Sequence, residues 1–357
     1  MTAYFVRRLL LVPITFICIT ALVYTILRVV PGGPVERAKL ELRMLAAGEG
    51  GGGGAGVAAD LGAERLTEAQ IREIEKYYDL DKPIPLGYLD WLGLYPDEED
   101  GFSGILQADF GRSSVYGKPV LDVIVGKFYI SIYFGLLGYF ATWLVCVPLG
   151  IVKAIRHRTW LDTGSSVAVF LGYATPGFVA CLVLLVYLGG KWDLVPLGGF
   201  RPPREVWESL SFFGRVKAQL HHTVVPIFGY LITGFATMTI LMKNSLLENL
   251  GQDYVRTAFA KGLSERRVIF VHALRNSLIP ITAGIGHALG IIFAGSFLIE
   301  NVCNIPGMGL LGYTSILARD YPIIMGILVF GVLIQLVGNI ISDVVWALID
   351  PRIRFGT

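Results

Sequence analysis

"DYVRTAFAKGLSERRVIFVHALRNSLIP", residues 253–280, is a basic, helix-prone stretch lodged among apolar runs, where a membrane protein needs only a short turn. Asp253 opens "DYVRTAFAK" and Lys261 closes it, the order a helix macrodipole favours, so these residues predict a helix of about two turns. Gly262 predicts its stop, because glycine enters the left-handed cap conformation without steric cost. Ser264 can then cap a second helix, "ERRVIFVHALRN", leading back into apolar sequence. The expected element is a helix, a glycine and a helix lying on one face of a membrane.

That a membrane is involved follows from what flanks the stretch. Of 357 residues, 54% are hydrophobic and only 16% charged, against about 25% charged in an average soluble domain. Runs free of Asp, Glu, Lys and Arg cover residues 9–27, 128–152, 163–190, 223–242, 276–299 and 321–342. Each has about 20 residues or more, enough at about 1.5 Å per residue to cross a hydrocarbon core of about 30 Å. The expectation is an all-α integral membrane protein with six transmembrane helices. Arg7 and Arg8 precede the first run, but it is too long for a signal peptide and no small-residue cleavage site follows, so it reads as a retained span.

Lys and Arg in short connections stay in the cytoplasm. That rule places inside the N-terminus, the segment 153–162 with Lys153, Arg156 and Arg158, the segment 243–275, and the C-terminal tail with Arg352 and Arg354. The connection 31–127 carries more acid than base and is long enough to be translocated, so it faces outside. It opens with "PGGP" and contains the flexible run "GEGGGGGAG" at 48–56. In the "LTEAQIREIEKYYDLDKPIP" that follows, Thr67 as cap, Gln70 at the capping-box position and Pro83 as limit predict a small helical subdomain. The chain thus divides into 1–30, the first span; 31–127, an outer insertion with a Gly-rich linker; and 128–357, a five-helix core with the loop 243–275.

That loop sets Lys243, Arg256, Lys261, Arg266, Arg267 and Arg275 against Glu248, Asp253 and Glu265. It reads either as a basic turn meeting anionic headgroups or as a docking element. In the second reading Ala258 and Ala260 leave a slim helix face, and Tyr254 and Arg256 supply anchors.

The stretch resembles the cytoplasmic "EAA" loop of binding-protein-dependent ABC importer permeases, in the form used by the oligopeptide and dipeptide branch. "RRLLLVPITF" at 7–16, "PGGP" at 31–34, "FGRS" at 110–113, "PLGI" at 148–151, "YATPGFVA" at 173–180, "IPGMGLLGY" at 305–313, "RDYP" at 319–322 and "DPRIRF" at 350–355 are similar to that family in its order. The likeness spans nearly the whole chain and is closest to the Yej-type subgroup of peptide importers. There are departures: Arg256, Thr257 and Ala258 stand where the general pattern has Glu-Ala-Ala, His272 to Arg275 stand where it has Ile-x-Leu-Pro, and Phe259 stands where the branch often has Arg. The spacing from Gly262 to Leu274 is intact.

The resemblance implies a type I ABC importer permease fold with a helical periplasmic insertion, in a bacterial inner membrane, taking up oligopeptides or peptide-like compounds. It implies that the first loop helix sits in a cleft of an ATP-binding subunit. Asp253, Tyr254, Arg256, Thr257, Ala258, Lys261 and Gly262 would then form the transmission, with Gly262 setting the angle between its helices. The implied partners are a second permease subunit making a heterodimer, two ATP-binding subunits or domains, a periplasmic solute-binding protein and the lipid bilayer; no nucleic acid is expected. The loop after the fifth run would lie at the pathway mouth, with Pro306, Gly307, Gly309, Arg319, Asp320 and Pro322 as its gate residues.

The remaining residues argue against chemistry on this chain. Each Gly-Lys pair that could begin a Walker A ending is followed by Pro119, Phe128 or Trp192 rather than Ser or Thr. HExxH and GxSxG are absent, and Ser296 beside Gly295 reads as packing. A non-catalytic subunit without cofactor is expected, with ATP and magnesium on partner chains. Cys18, Cys146 and Cys181 lie in apolar runs and Cys303 just beyond one, without metal-type spacing. His287, in "GIGHALG" between Gly286 and Gly290, is a candidate interhelical contact or pathway residue. Pro176, beside Gly177, marks either a tolerated kink or a bend lining the pathway. Asn339 and Asp343, four apart on one helix face, read as a structural pair or a headgroup contact in preference to a proton relay. The alternative, an ion-coupled secondary transporter, calls for repeated halves and coupling-ion ligands, and no convincing repeat is present.

Overall fold

The computed structural model describes residues 2–30, 82–96, 101–282 and 285–349. Among them helices and turns account for the structure, with an isolated bridge between Arg112 and Pro119 and no strand. In chain order the main helices are α1 (Thr2–Val29), α2 (Ile84–Leu92), α3 (Val120–Ile155), α4 (Trp160–Ala174), α5 (Gly177–Leu184), α6 (Phe212–Leu250), α7 (Asp253–Ala260), α8 (Ile285–Ala294), α9 (Phe297–Val302), α10 (Met308–Ala318) and α11 (Tyr321–Ile349). The Gly-rich linker, the predicted Thr67 helix, "PGGP" and "DPRIRF" lie outside the described residues.

Among the described residues, four helices are long and apolar enough to cross a membrane: Arg7–Val29, Val120–Ile155, Phe212–Leu250 and Tyr321–Val345. They carry four of the six apolar runs. The run 163–190 is instead two helices, Trp160–Ala174 and Gly177–Lys191, meeting at 93°. Pro176 is the N-cap of the second, where its missing N–H leaves no helical bond unmade, and the chain leaves helical geometry through the extended ψ of Thr175 (112°) and Pro176 (136°). The run 276–299 is not one helix either. It passes through the short helices Leu274–Ser277 and Ile279–Thr282 and then α8, and Gly295, at φ +68°, breaks it again before α9. The helix of the second run begins at Val120, so residues 120–127, assigned from sequence to the insertion, belong to that helix.

The described residues gather into two compact units. The first takes those within 1–12, 125–314 and 330–357. In it α3 and α6 approach closely and in constant register: a Cβ on Gly138 would stand 2.7 Å from Tyr230 Cβ, and one on Gly150 2.6 Å from Met242 Cβ. The bend between α4 and α5 rests on α6 in the same way, since a Cβ on Gly177 would come within 2.4 Å of the Gly229 carbonyl oxygen. Only glycine lets these backbones meet.

Two apolar cores occupy this unit. One gathers Ile130 and Phe134 of α3, Cys181 and Leu185, Val225 of α6, and Ile299, Cys303 and Ile305. The other gathers Ile151 and Ala154 of α3, Met242 and Leu246 of α6, Val255 and Ala258 of α7, and Val268, Ala273 and Ile281. From Phe134 to Ile151, as from Val225 to Met242, the helix rises about 25 Å at about 1.5 Å per residue. The two cores therefore sit toward opposite ends of the same pair of helices.

The second unit takes described residues within 13–124 and 315–329. Tyr24, Tyr88, Leu92 and Met325 form its core, Tyr88 and Trp91 stack at 5.9 Å, and Thr20 shares a 2.7 Å hydrogen bond with the Tyr88 hydroxyl. The "FGRS" and "RDYP" motifs meet here: Ser113 Oγ donates to Asp320 Oδ2 at 2.5 Å, and the Val115 amide donates to the same oxygen at 3.3 Å.

Candidate functional site

Helix α7 forms where the sequence predicts it and ends as predicted. Lys261 is its C-cap and Gly262 adopts φ +78°. The Gly262 amide donates to the Phe259 carbonyl at 2.9 Å and the Leu263 amide to the Ala258 carbonyl at 3.3 Å. This pair of bonds is the Schellman arrangement, which satisfies carbonyls that a helix end would otherwise leave bare. A side chain at Gly262 would meet nothing within 4 Å, so backbone conformation alone calls for glycine there.

The second helix departs from expectation in its detail. Ser264 holds the N-cap position, but its side chain makes no capping bond, and the helix runs as Glu265–Arg267, a π-helical segment Val268–Ala273 and Leu274–Ser277. The wider π turn buries Val268, Ile269 and Ala273 while Phe270 and Val271 remain exposed.

Within α7, Val255 and Ala258, three apart, face the core, and Asp253, Tyr254, Arg256, Thr257 and Lys261 remain exposed. Ala258 is therefore packed inside this chain, and the slim outward face is made by Thr257 and Ala260 instead. Local bonds hold the exposed residues in place: the Tyr254 hydroxyl donates to Asn249 Oδ1 at 2.9 Å, Thr257 Oγ1 donates to the Asp253 carbonyl at 2.9 Å, and Arg256 pairs with Asp253 at 3.5 Å. The surface presented is short, stiff and of mixed charge.

A buried ion cluster stands near the root of this element, and sequence reasoning missed it. Lys243 of α6 donates to both Asp162 carboxylate oxygens, at 2.7 and 2.8 Å. Lys153 of α3, 3% exposed, lies 3.1 Å from Asp162 Oδ1 and also donates to the Asp162 carbonyl, Ser165 and Ser166. One carboxylate thus ties α3, α4 and α6 together at their ends near Ile151, Ala154 and Met242. Lys153 and Lys243 read from sequence only as positive loop charges.

The six residues predicted for the pathway-mouth loop fall into two groups. Pro306, Gly307 and Gly309 belong to the first unit, and Arg319, Asp320 and Pro322 to the second. Gly307 is buried and Pro306 half-buried. Asp320 is fully buried on Ser113 as described, Arg319 takes φ +53° and Pro322 lies in the first turn of α11. Pro176 is exposed at the 93° bend. His287 lies in α8, and its side chain is outside the described residues. Asn339 accepts a 3.1 Å bond from Gln335, while Asp343 pairs with Arg8. Of the two readings, Asn339 and Asp343 as a mutual pair gives way to separate partners.

A long helical scaffold with several apolar spans, joined to a capped helix of mixed charge in a short connection, defines a multi-pass membrane protein with a stiff element in one connecting segment. Residues 146–355 match the family model described as "Binding-protein-dependent transport system inner membrane component". The chain is 36% identical over 373 residues to the inner membrane ABC transporter permease protein YejB of Escherichia coli O157:H7, covering 99% of both chains. It is 33% identical over 372 residues to the peptidoglycan transport system permease protein YejB of Agrobacterium fabrum, again with 99% of both covered. It is 30% identical over 356 residues to the oligopeptide transport system permease protein AppB of Bacillus subtilis, over 99% of this chain and 100% of that one. The chain belongs to the family of binding-protein-dependent transport system inner membrane components. It is accordingly a multi-pass inner-membrane permease subunit of an ABC importer.

Proposed function

We propose that this chain carries oligopeptides or peptide-like compounds from the periplasm across the bacterial inner membrane, driven by ATP hydrolysed on partner subunits. The observation that carries the reading is helix α7, anchored by Val255 and Ala258 in the chain's own core, ended by Gly262 and exposing Asp253, Tyr254, Arg256, Thr257 and Lys261. A helix held this way transmits displacement, where a loose loop would absorb it. The names of the similar proteins, which include peptidoglycan, oligopeptide and dipeptide permeases, support a peptide-bearing substrate.

In this reading the chain crosses the membrane six times, with the broken 276–299 segment as the fifth crossing and both termini and the 243–275 loop in the cytoplasm. It pairs with a second, different permease subunit, two ATP-binding subunits or domains dock on the α7 elements, and a solute-binding protein delivers the substrate from outside. The insertion 31–127 is periplasmic. ATP and magnesium act on the partner subunits, and this chain holds neither. The family membership favours no ion-coupled mechanism.

Cysteine cross-linking tests the docking. In the assembled transporter, Thr257→Cys, on the exposed face, should cross-link to an ATP-binding subunit, identified by mass spectrometry of the joined peptides. Cross-links reaching only lipid or periplasmic protein would overturn the assignment.

A further inference from the structure

Glu300 of α9 is fully buried, yet among the described residues neither Lys nor Arg holds its carboxylate. Neutral donors do. Ser131 Oγ of α3 donates to Oε1 at 3.1 Å, and the Leu310 amide at the start of α10 donates to Oε2 at 2.8 Å. Ser131 Oγ in turn accepts the Met308 amide at 2.7 Å. The carboxylate therefore caps the positive end of α10 from a different helix, satisfying an amide that lacks an intrahelical partner. The glycines around it are explained by the same group. A Cβ on Gly307 would lie 2.7 Å from Cδ, Oε1 and Oε2 of Glu300 alike, and one on Gly295 would lie 2.1 Å from Oε1. The "IPGMG" stretch is thus shaped around a buried acid.

Ser131 sits on the same helix as Ile151 and Ala154, which pack with Val255 and Ala258 of α7. Between Ser131 and Ile151 that helix rises about 30 Å without interruption. We propose that Glu300 is the positioning residue of the outer gate: its carboxylate pins the Gly307 turn and the start of α10 to Ser131, so this first part of the gate loop moves as one body with α3, the helix that reaches the coupling core. The inference rests on the proposed reading of α7 as coupling element and on the place at the pathway mouth that the family resemblance implies for Pro306, Gly307 and Gly309. A rigid helix fixed at both ends supplies the physical link that a claim of long-range coupling requires.

The consequence is uncoupling when the pin is removed. The whole transporter, with partner subunits and solute-binding protein, is reconstituted in liposomes, and uptake of a labelled synthetic oligopeptide library is measured alongside ATP hydrolysis. Glu300→Ala should assemble and hydrolyse ATP, while maximal uptake per ATP falls about tenfold, the loss expected for charge-assisted hydrogen bonds. The half-saturating peptide concentration should stay put, because capture belongs to another protein. Gly307→Ala should have the same effect by crowding the carboxylate. The double variant should be no worse than Glu300→Ala alone, since the atoms that Cβ meets are gone. Multiplying effects, wild-type uptake in Glu300→Ala, or ATPase falling in step with uptake would overturn the proposal. Should Glu300→Ala fail to assemble, Ser131→Ala decides: uptake per ATP reduced severalfold in an intact complex supports the pin, and wild-type coupling removes it. The Thr257→Cys cross-link is read separately, so its failure would strike the docking assignment and leave these outcomes distinguishable.

Discussion

Substituting Gly262 isolates the angle between the two loop helices from everything else. A Cβ there has no neighbour within 4 Å, so any effect comes from the backbone, which holds φ +78°. An L-residue in the left-handed region costs about 1–2 kcal/mol, less for Asn, and more for a β-branched side chain. On that scale the balance between the turned loop and a straightened one shifts by about five- to thirtyfold. The opposing bonds, from Gly262 to Phe259 and from Leu263 to Ala258, together contribute about 1–3 kcal/mol, comparable to that cost, so the turned loop loses most of its advantage. In reconstituted vesicles, where peptide uptake and ATP hydrolysis are read together, uptake per ATP should fall in the order Gly, Asn, Ala, Val, with assembly unchanged. If Gly262→Val transports like the parent, or Gly262→Asn fails as badly as Gly262→Val, the backbone argument is wrong.

Two further perturbations follow from burial. Ala258→Trp overfills the core that holds Val255, Met242 and Val268, so it should lower the melting temperature of the purified complex by a destabilisation of about 1–3 kcal/mol or more, whereas Thr257→Trp, on the exposed face, should leave stability within about 0.5 kcal/mol and still abolish uptake. Equal melting temperatures for the two would contradict the orientation of α7. Asp162→Asn strips Lys153 and Lys243 of their shared counter-charge and should destabilise by about 3 kcal/mol, toward the low end for a buried pair because Lys243 keeps 15% exposure; an unchanged thermal transition in detergent would show that the cluster is already solvated.

The sequence makes legible whatever depends on a few neighbouring residues. The runs at 9–27, 128–152, 223–242 and 321–342 each lie within one long helix, because hydrophobicity over a bilayer's length needs no partner to declare itself. The stop at Gly262 was legible for the same reason: a left-handed cap is a property of one residue. The other two runs are broken helices, and because hydropathy records apolarity and not direction, Pro176 signals a bend in the first without its 93° angle and Gly295 leaves the break in the second unmarked. Ala258 reads from sequence as part of the docking face, whereas it packs in the chain's own core, because a small side chain suits either place.

Glu300 lies just past the end of the apolar run 276–299, and nothing local to it in the sequence sets it apart from any other charge at the end of a run. An acid seven residues before the Gly307 turn was the one available signal, and its meaning depends on Ser131, 169 residues earlier in the chain. The sequence alone determined the membrane, most of the spans and the capped helix, since these follow from local transfer energies and backbone sterics. Only the tertiary structure decided which face of α7 turns inward, which lysines share Asp162 and what the buried carboxylate holds, because a buried charge takes its role from the donors brought to it through space.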